Sequence, residues 1–250
     1  MSTMIAQTKP YTLQTFGSWL THHWFEIFLV VYGLWVFLPW LAPVMMNFGW
    51  TKTGNAIYFI YSFFCHQLPE RSFFLFGQKS MYSLTEIQSM WQNTINPLVL
   101  RKFVGNADIG WKVAWSDRMI WFYTSIWLFA ALWWPLRRKV KPLKWWGFIL
   151  LLLPMIFDGG THTLSDFAGI GQGFRDTNQW LAMLTSNSFP ASFYAGDALG
   201  SFNSWMRLVT GFLAGLGIAW FTVSLIFHVE DIDQQLGKVD LNIEKAFEKI

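Results

Sequence analysis

The chain has one cysteine among 250 residues, which excludes an intrachain disulfide and any site built on several thiolates. Charge is scarce too. Asp, Glu, Lys and Arg make up 13% of the residues, against roughly 25% in soluble domains. The net charge is only +3 and the basic residues gather in one short stretch, so nucleic acid is not expected as a partner. The alternating ten-residue segments of a membrane β-barrel are missing. A cleavable leader is not expected, because the first apolar run, Trp24 to Met46, covers about 23 residues and no small-residue cleavage pattern follows it.

What the chain does have is apolar and aromatic surface. Hydrophobic residues reach 53%, with 17 Trp and 25 Phe, more than one soluble core needs. The expectation is an all-α membrane helix bundle of about five spans, at residues 24–46, 54–76, 114–135, 145–162 and 206–227. An N-terminal tail and interfacial helix would occupy 1–23, beginning at a Thr12 cap with Leu13, Phe16, Trp19 and Leu20 on one face. Outer segments would occupy 78–112 and 163–205. Ser83-Leu84-Thr85-Glu86 matches a capping box, and Asn96-Pro97 starts a second short helix.

Five basic residues, Arg137, Arg138, Lys139, Lys141 and Lys144, lie between the third and fourth spans. The positive-inside rule places them in the cytoplasm of an inner-membrane protein. With five spans the N-terminus would be outside and the C-terminus in the cytoplasm. Residues 228–250 form a cytoplasmic amphipathic helix with a heptad stripe of Ile232, Leu236, Val239, Ile243, Ala246 and Ile250. Six acids and three lysines between Glu230 and Lys249 make it a poor ligand for anionic lipid. Docking on the basic stretch, self-association or a partner helix suits it better; the bundle itself has membrane lipid as its partner.

Polar residues interrupt the apolar runs at one depth. At 1.5 Å per residue, Cys65 and His66 lie about 17–18 Å from the cytoplasmic start of their span, Asp158 about 20 Å, and Arg118 and Arg207 roughly 25–30 Å. Asp158 and His162 are four apart and share a helix face. Isolated charges near mid-bilayer cost about 2.5–3.5 kcal/mol each on insertion scales, so mutual pairing is expected, with Asp158 and Glu70 against Arg118 and Arg207. One outer pocket would then gather Cys65, His66, Gln67, Glu70, Arg71, Arg118, Asp158, Thr161, His162 and Arg207.

These motifs resemble a bacterial membrane family known as domain of unknown function 2085. The resemblance rests on Cys65-His66-Gln67 with Pro69-Glu70-Arg71-Ser72, on Arg118, on Pro154 with Asp158-Gly159 and Thr161, and on Arg207 with Thr210-Gly211. It spans about residues 54–217 and implies a shared fold and site, without an established activity. Where the family often carries a C-x-R-C pattern, this chain has Ser116-Asp117-Arg118-Met119, and His162 stands where glutamine is common.

The first functional reading is a binding or accessory membrane protein, alone or as a subunit of a larger complex, with a pocket whose two arginines suit an anionic headgroup or small carboxylate. The alternative is a membrane enzyme, with Cys65, His66 and Asp158 as catalytic candidates, or a metal-binding protein with His66, His162, Asp158 and Cys65 as ligands. A second alternative is a small transporter or proton path through the same residues. Gly169–Gly173 reads as a flexible loop rather than a phosphate loop. Arg175-Asp176 and Asp197 read as surface structure, and Asp166, Asp176 and Asp197 are remote candidates for calcium.

Overall fold

A computed structural model describes residues 11–247. The expected tail at 1–10 and the last stripe position, Ile250, lie outside the described residues. The architecture is a helical membrane bundle, capped at one end by a small sheet and short helices. Among the described residues, four helical segments are long and apolar enough to cross a membrane: Trp19–Asn47, Asp117–Leu136, Trp145–Asp166 and Phe202–Ile232. The first lies within α1 (Tyr11–Asn47), which kinks at His23, so the expected interfacial helix runs on into the first span. The others comprise α5 (Asp117–Trp133), α6 (Trp145–Asp166), and α10 (Phe202–Ile218), which passes through a π-helical turn into α11 (Ser224–Phe247).

The expected span at 54–76 is corrected. Its helix, α2 (Thr51–Tyr61), has 11 residues, about 16 Å, half of a bilayer core. Two local features stop it. Gln67 adopts a left-handed conformation (φ 52°), and Pro69 forces Leu68 into extended backbone. The chain then makes a 3-10 turn at Pro69–Arg71 and enters strand β1 (Ser72–Leu75). The short helices α3 (Leu84–Met90) and α4 (Pro97–Leu100) follow, capped by Ser83 and Asn96 as the sequence predicts. Strands β2 (Gly105–Asn106) and β3 (Gly110–Ser116) complete an antiparallel sheet of order β1-β3-β2. The sheet was not expected: β3 uses residues 114–116, which composition assigns to the third span.

With four such helices among the described residues instead of five, the first and last of them meet at one end of the bundle. The Trp24 indole N–H donates to the Glu230 carboxylate at 2.6 Å, and Phe25 stacks on Trp134 at 3.8 Å beside the basic stretch. The Trp220 indole donates to the Lys141 carbonyl. The opposed termini implied by five spans are therefore replaced by helix ends that meet at the basic end. Further along α11, Ile232, Leu236 and Val239 are exposed.

The cap is held by an apolar cluster that joins Ala42 and Met46 of α1, Ile57, Tyr58 and Tyr61 of α2, and Val113 to Trp115 of β3. The bundle is held by close helix approach. A methyl group on Gly215 would stand 1.8 Å from Ser125 Oγ and 2.9 Å from the Phe122 carbonyl of α5, so only glycine lets α10 and α5 pack at this distance. Gly215→Ala is expected to lower stability by about 1–3 kcal/mol through overpacking. A thermal melt in detergent checks this, and Ser125→Ala in the same chain should restore part of the loss.

Between α6 and α10 the chain forms three short helices, α7 (Phe174–Thr177), α8 (Gln179–Leu184) and α9 (Ala191–Tyr194). They fold against the end of the bundle opposite the basic stretch.

Candidate functional site

The sheet register builds the site. Ser72 pairs with Ser116, so Arg71, just before β1, and Asp117, at the start of α5, emerge at the same edge. Arg207, from the second turn of α10, reaches them from the bundle. Its Nε donates to Asp117 Oδ2 at 2.7 Å, Nη1 to Asp197 Oδ1 at 2.6 Å and Nη2 to the Asp197 carbonyl at 2.6 Å. Arg71 holds the other Asp197 oxygen through Nε at 2.7 Å and grips Asp166 with both terminal nitrogens at 2.7 Å. Burial alone would raise the Asp197 pKa, but Arg71 and Arg207 hold it far below the ordinary carboxylate range.

A second cluster lies alongside. Asp158 Oδ2 is 2.9 Å from Arg118 Nη2, while Oδ1 accepts from Arg175 Nη2 at 2.7 Å. Arg175 also donates to Thr161 Oγ1 at 3.0 Å and to Asn203 Oδ1 at 3.2 Å. His162 Nε2 lies 3.2 Å from Arg175 Nη2. An arginine nitrogen can only donate, so Nε2 accepts and the ring proton sits on Nδ1.

The expected layer of polar residues is therefore gathered, but with a different pairing. Asp158 meets Arg118 as expected, whereas Arg207 takes Asp117 and Asp197. Glu70 is buried and forms no ion pair among the described residues; neither carboxyl oxygen reaches a hydrogen-bond partner. Its pKa is pushed up to about 7, chiefly by burial, against the opposing pull of Arg71. Buried Lys112 donates to the carbonyls of Gln67 and Arg101, both at 2.7 Å, and burial lowers its pKa to about 7. Gln67 turns away and donates to the Tyr58 carbonyl.

Cys65 and His66 diverge. Cys65 is buried in the apolar cluster of the cap, where its sulfur accepts the backbone N–H groups of Gln67 and Ser116 at 3.4 and 3.3 Å. The His66 ring instead faces a cavity of about 550 Å³, lined also by Arg71, Arg118, Arg207 and His162. Its surface is exposed there. Loss of bulk solvent and then the Arg71 charge lower its pKa to about 4, so the ring is neutral at pH 7. No nucleophile–base hydrogen bond joins Cys65 to His66. Among the described residues no three His, Cys, Asp or Glu side chains converge to hold a metal. The candidate ligands are separated: Cys65 faces Ser116 and Asp158 is held by two guanidinium groups.

Three of the four arginines have every guanidinium nitrogen engaged by protein. Arg118 is the exception. Among the described residues only its Nη2 has a side-chain partner, Nε and Nη1 have none, and the residue lines the cavity. A methyl group on Gly159 would stand 2.7 Å from Arg118 Nη1, so this glycine lets the guanidinium lie close against α6.

Sequence reasoning missed Asp117, Arg175 and Asp197, all fully or nearly buried. It assigned Arg175 and Asp197 to surface structure because they occupy a polar stretch between spans. Asp197 meets Arg71 and Arg207, and Asp166 is held by Arg71, so neither is organised with Asp176 as a calcium site. The signal available was numerical: the expected layer held more arginines than acids, and the missing acids had to come from neighbouring loops.

Fold and site together define a helical membrane protein with a charged, ion-paired interior at one end of its bundle. Residues 109–221 match the family described as "Predicted membrane protein (DUF2085)", which bears out the motif resemblance over the stretch from β3 to the π-helical turn. The chain is also similar to the "Uncharacterized protein MJ1492" of Methanocaldococcus jannaschii, at 23% identity over 211 residues, covering 82% of this chain and 94% of that protein. No solved structure matches the chain.

Proposed function

We propose that the protein is a binding protein of the cytoplasmic membrane, with a pocket that opens on the outer side and accepts an anionic ligand at Arg118 and His66. The observation that carries this reading is the uneven use of the arginines. Arg71, Arg175 and Arg207 are spent on holding the cap to the bundle, while Nε and Nη1 of Arg118 have no partner among the described residues. Neutral His66 adds a hydrogen-bonding group beside it without a competing charge. A cavity of about 550 Å³ falls in the range that small ligands occupy.

The basic residues at 137–144 support a cytoplasmic placement for their end of the bundle. On this reading the start of α1 and α11 lie in the cytoplasm and the sheet-bearing cap lies outside. The exposed stripe of Ile232, Leu236 and Val239 supports a helical partner there, a second copy or another subunit.

The test is a thermal melt of purified protein against a panel of phosphate and carboxylate monoanions, soluble and amphiphilic. At least one member should raise the melting temperature of the wild type and leave Arg118→Gln unmoved. A wild type that responds to no member of the panel sinks the reading.

A further inference from the structure

The cavity lining mixes two chemistries. Beside His66 and the charged Arg71, Asp117, Arg118, Asp166 and Arg207 it carries apolar Leu68, Met119, Phe167 and Ile170. A pocket for a small hydrophilic anion has no use for that apolar lining, because burying apolar surface favours only a ligand that brings its own.

The mouth has a definite direction. Gly159, Thr163 and Phe167 line the cavity and are spaced by four, so they form one ridge along α6. The neighbouring ridge of Ile156, Gly160 and Leu164 is exposed along its whole length, and Leu164 is 64% exposed. In a membrane span such an apolar face lies against acyl chains. Phe167, at the rim, is 81% exposed. The polar cavity therefore borders directly on the lipid-facing side of α6.

Its depth agrees. Counted at 1.5 Å per residue from Trp145, Gly159 lies about 21 Å along α6 and Phe167 about 33 Å. A hydrocarbon core of about 30 Å ends between them. Arg118 Nη1, which lies beside Gly159, thus sits about 9 Å below that boundary, within reach of a headgroup drawn in from the outer leaflet.

Resting on the anion-binding reading above, we infer that the ligand is an amphiphile of the outer leaflet, whose monoanionic headgroup enters sideways past Thr163 and Phe167 to meet Arg118 while its chain stays in lipid. A guanidinium with two open nitrogens suits a phosphodiester or carboxylate. Neutral His66 can donate to a second headgroup oxygen. The apolar wall receives the first carbons of the chain.

The experiment compares two probes of the same charge on detergent-purified full chain. One is lysophosphatidylglycerol, which carries an acyl chain; the other is glycerophosphoglycerol, its soluble headgroup. Binding is read as a saturable rise in melting temperature, for wild type, Arg118→Gln, His66→Ala and Thr163→Trp. The last places an indole across the lateral mouth, on an exposed position with no ion pair. His66→Ala removes a side chain that carries no protein hydrogen bond, and so serves as a headgroup variant that folds even if Arg118→Gln does not. Each variant is first shown to elute as a single species.

The expected result is that wild type binds the lysolipid at least tenfold more tightly than the soluble headgroup. Arg118→Gln and His66→Ala weaken that binding several-fold, and Thr163→Trp weakens it at least tenfold. Equal binding of the two probes, lost in Arg118→Gln but unaffected by Thr163→Trp, would overturn lateral entry and leave a soluble-anion pocket. Binding of neither probe, or lysolipid binding indifferent to Arg118 and His66, would overturn both the lateral site and the anion pocket for this headgroup.

Discussion

Replacing Arg207 with methionine should eliminate most of the folded protein. Among the described residues the Arg207 guanidinium is the only cation that touches Asp117, and it shares Asp197 with Arg71. Both acids are buried, and removing their partner leaves their charge without compensation. Breaking a buried pair from one side costs about 3–5 kcal/mol, a large part of the 5–15 kcal/mol that holds a typical domain together. Arg207→Lys should rescue little, because a single ammonium cannot reproduce the three directed hydrogen bonds at Nε, Nη1 and Nη2. The measurement is the yield of monodisperse protein and its melting temperature, with Arg118→Gln alongside. Arg118 makes one ion pair rather than a bridge, so that variant should remain folded and lose ligand response instead. Equal, mild effects of Arg207→Met and Arg118→Gln would show that the network is not what ties the cap to the bundle.

Glu70 should behave in the opposite sense. It is buried without a hydrogen-bond partner, and its pKa is pushed up to about 7. In the unfolded chain it titrates near 4.5. The folded state therefore binds the extra proton between these values, and stability is lost as pH rises from about 4.5 to about 7. Above that range the ionised side chain costs the fold roughly 3 kcal/mol, taken from the shift to about 7. Glu70→Gln is neutral at every pH and should be markedly more stable than wild type at pH 8. The advantage should vanish below about pH 4.5, where wild-type Glu70 is protonated in both states. Chemical or thermal denaturation of both proteins at pH 4.5, 6 and 8 checks the sign. A constant difference across that range would mean that Glu70 finds a cation in solution, with nearby Lys112 the first candidate.

Much of the bundle was legible because lipid imposes a simple rule on composition. Apolar runs around Val30, Phe129, Leu151 and Leu213 read as spans, and each lies in a helix long enough to cross a bilayer. The run at 54–76 was misread for a physical reason. Ile57, Tyr58, Tyr61 and Cys65 are apolar because they fill the core of the cap, not because they face lipid. Hydropathy measures removal from water and does not distinguish the two destinations. The same confusion hid β3, whose Val113, Ala114 and Trp115 are fully buried in that core.

The candidate site was legible in depth but not in pairing. The spacing of Asp158 and His162 on one helix face, and the common level of Arg118 and Arg207 on two spans, followed from helix rise alone. Which acid meets which arginine did not. Asp197 reaches Arg71 across 126 residues of sequence and Arg207 across 10, and both contacts depend on a loop without regular periodicity.

By itself the sequence determined that this is a helical membrane protein, that its charges lie in one layer, and that its basic stretch marks one end. These are consequences of solvent transfer and helix geometry, which act residue by residue. Only the tertiary structure decided that four described helices, not five, are long and apolar enough to cross, that Cys65 turns inward while His66 faces the cavity, and that Arg118 is the arginine with nitrogens to spare. Those outcomes depend on the strand register at Ser72 and Ser116 and on the folded position of Asp197, where groups distant in sequence compete for the same hydrogen bonds.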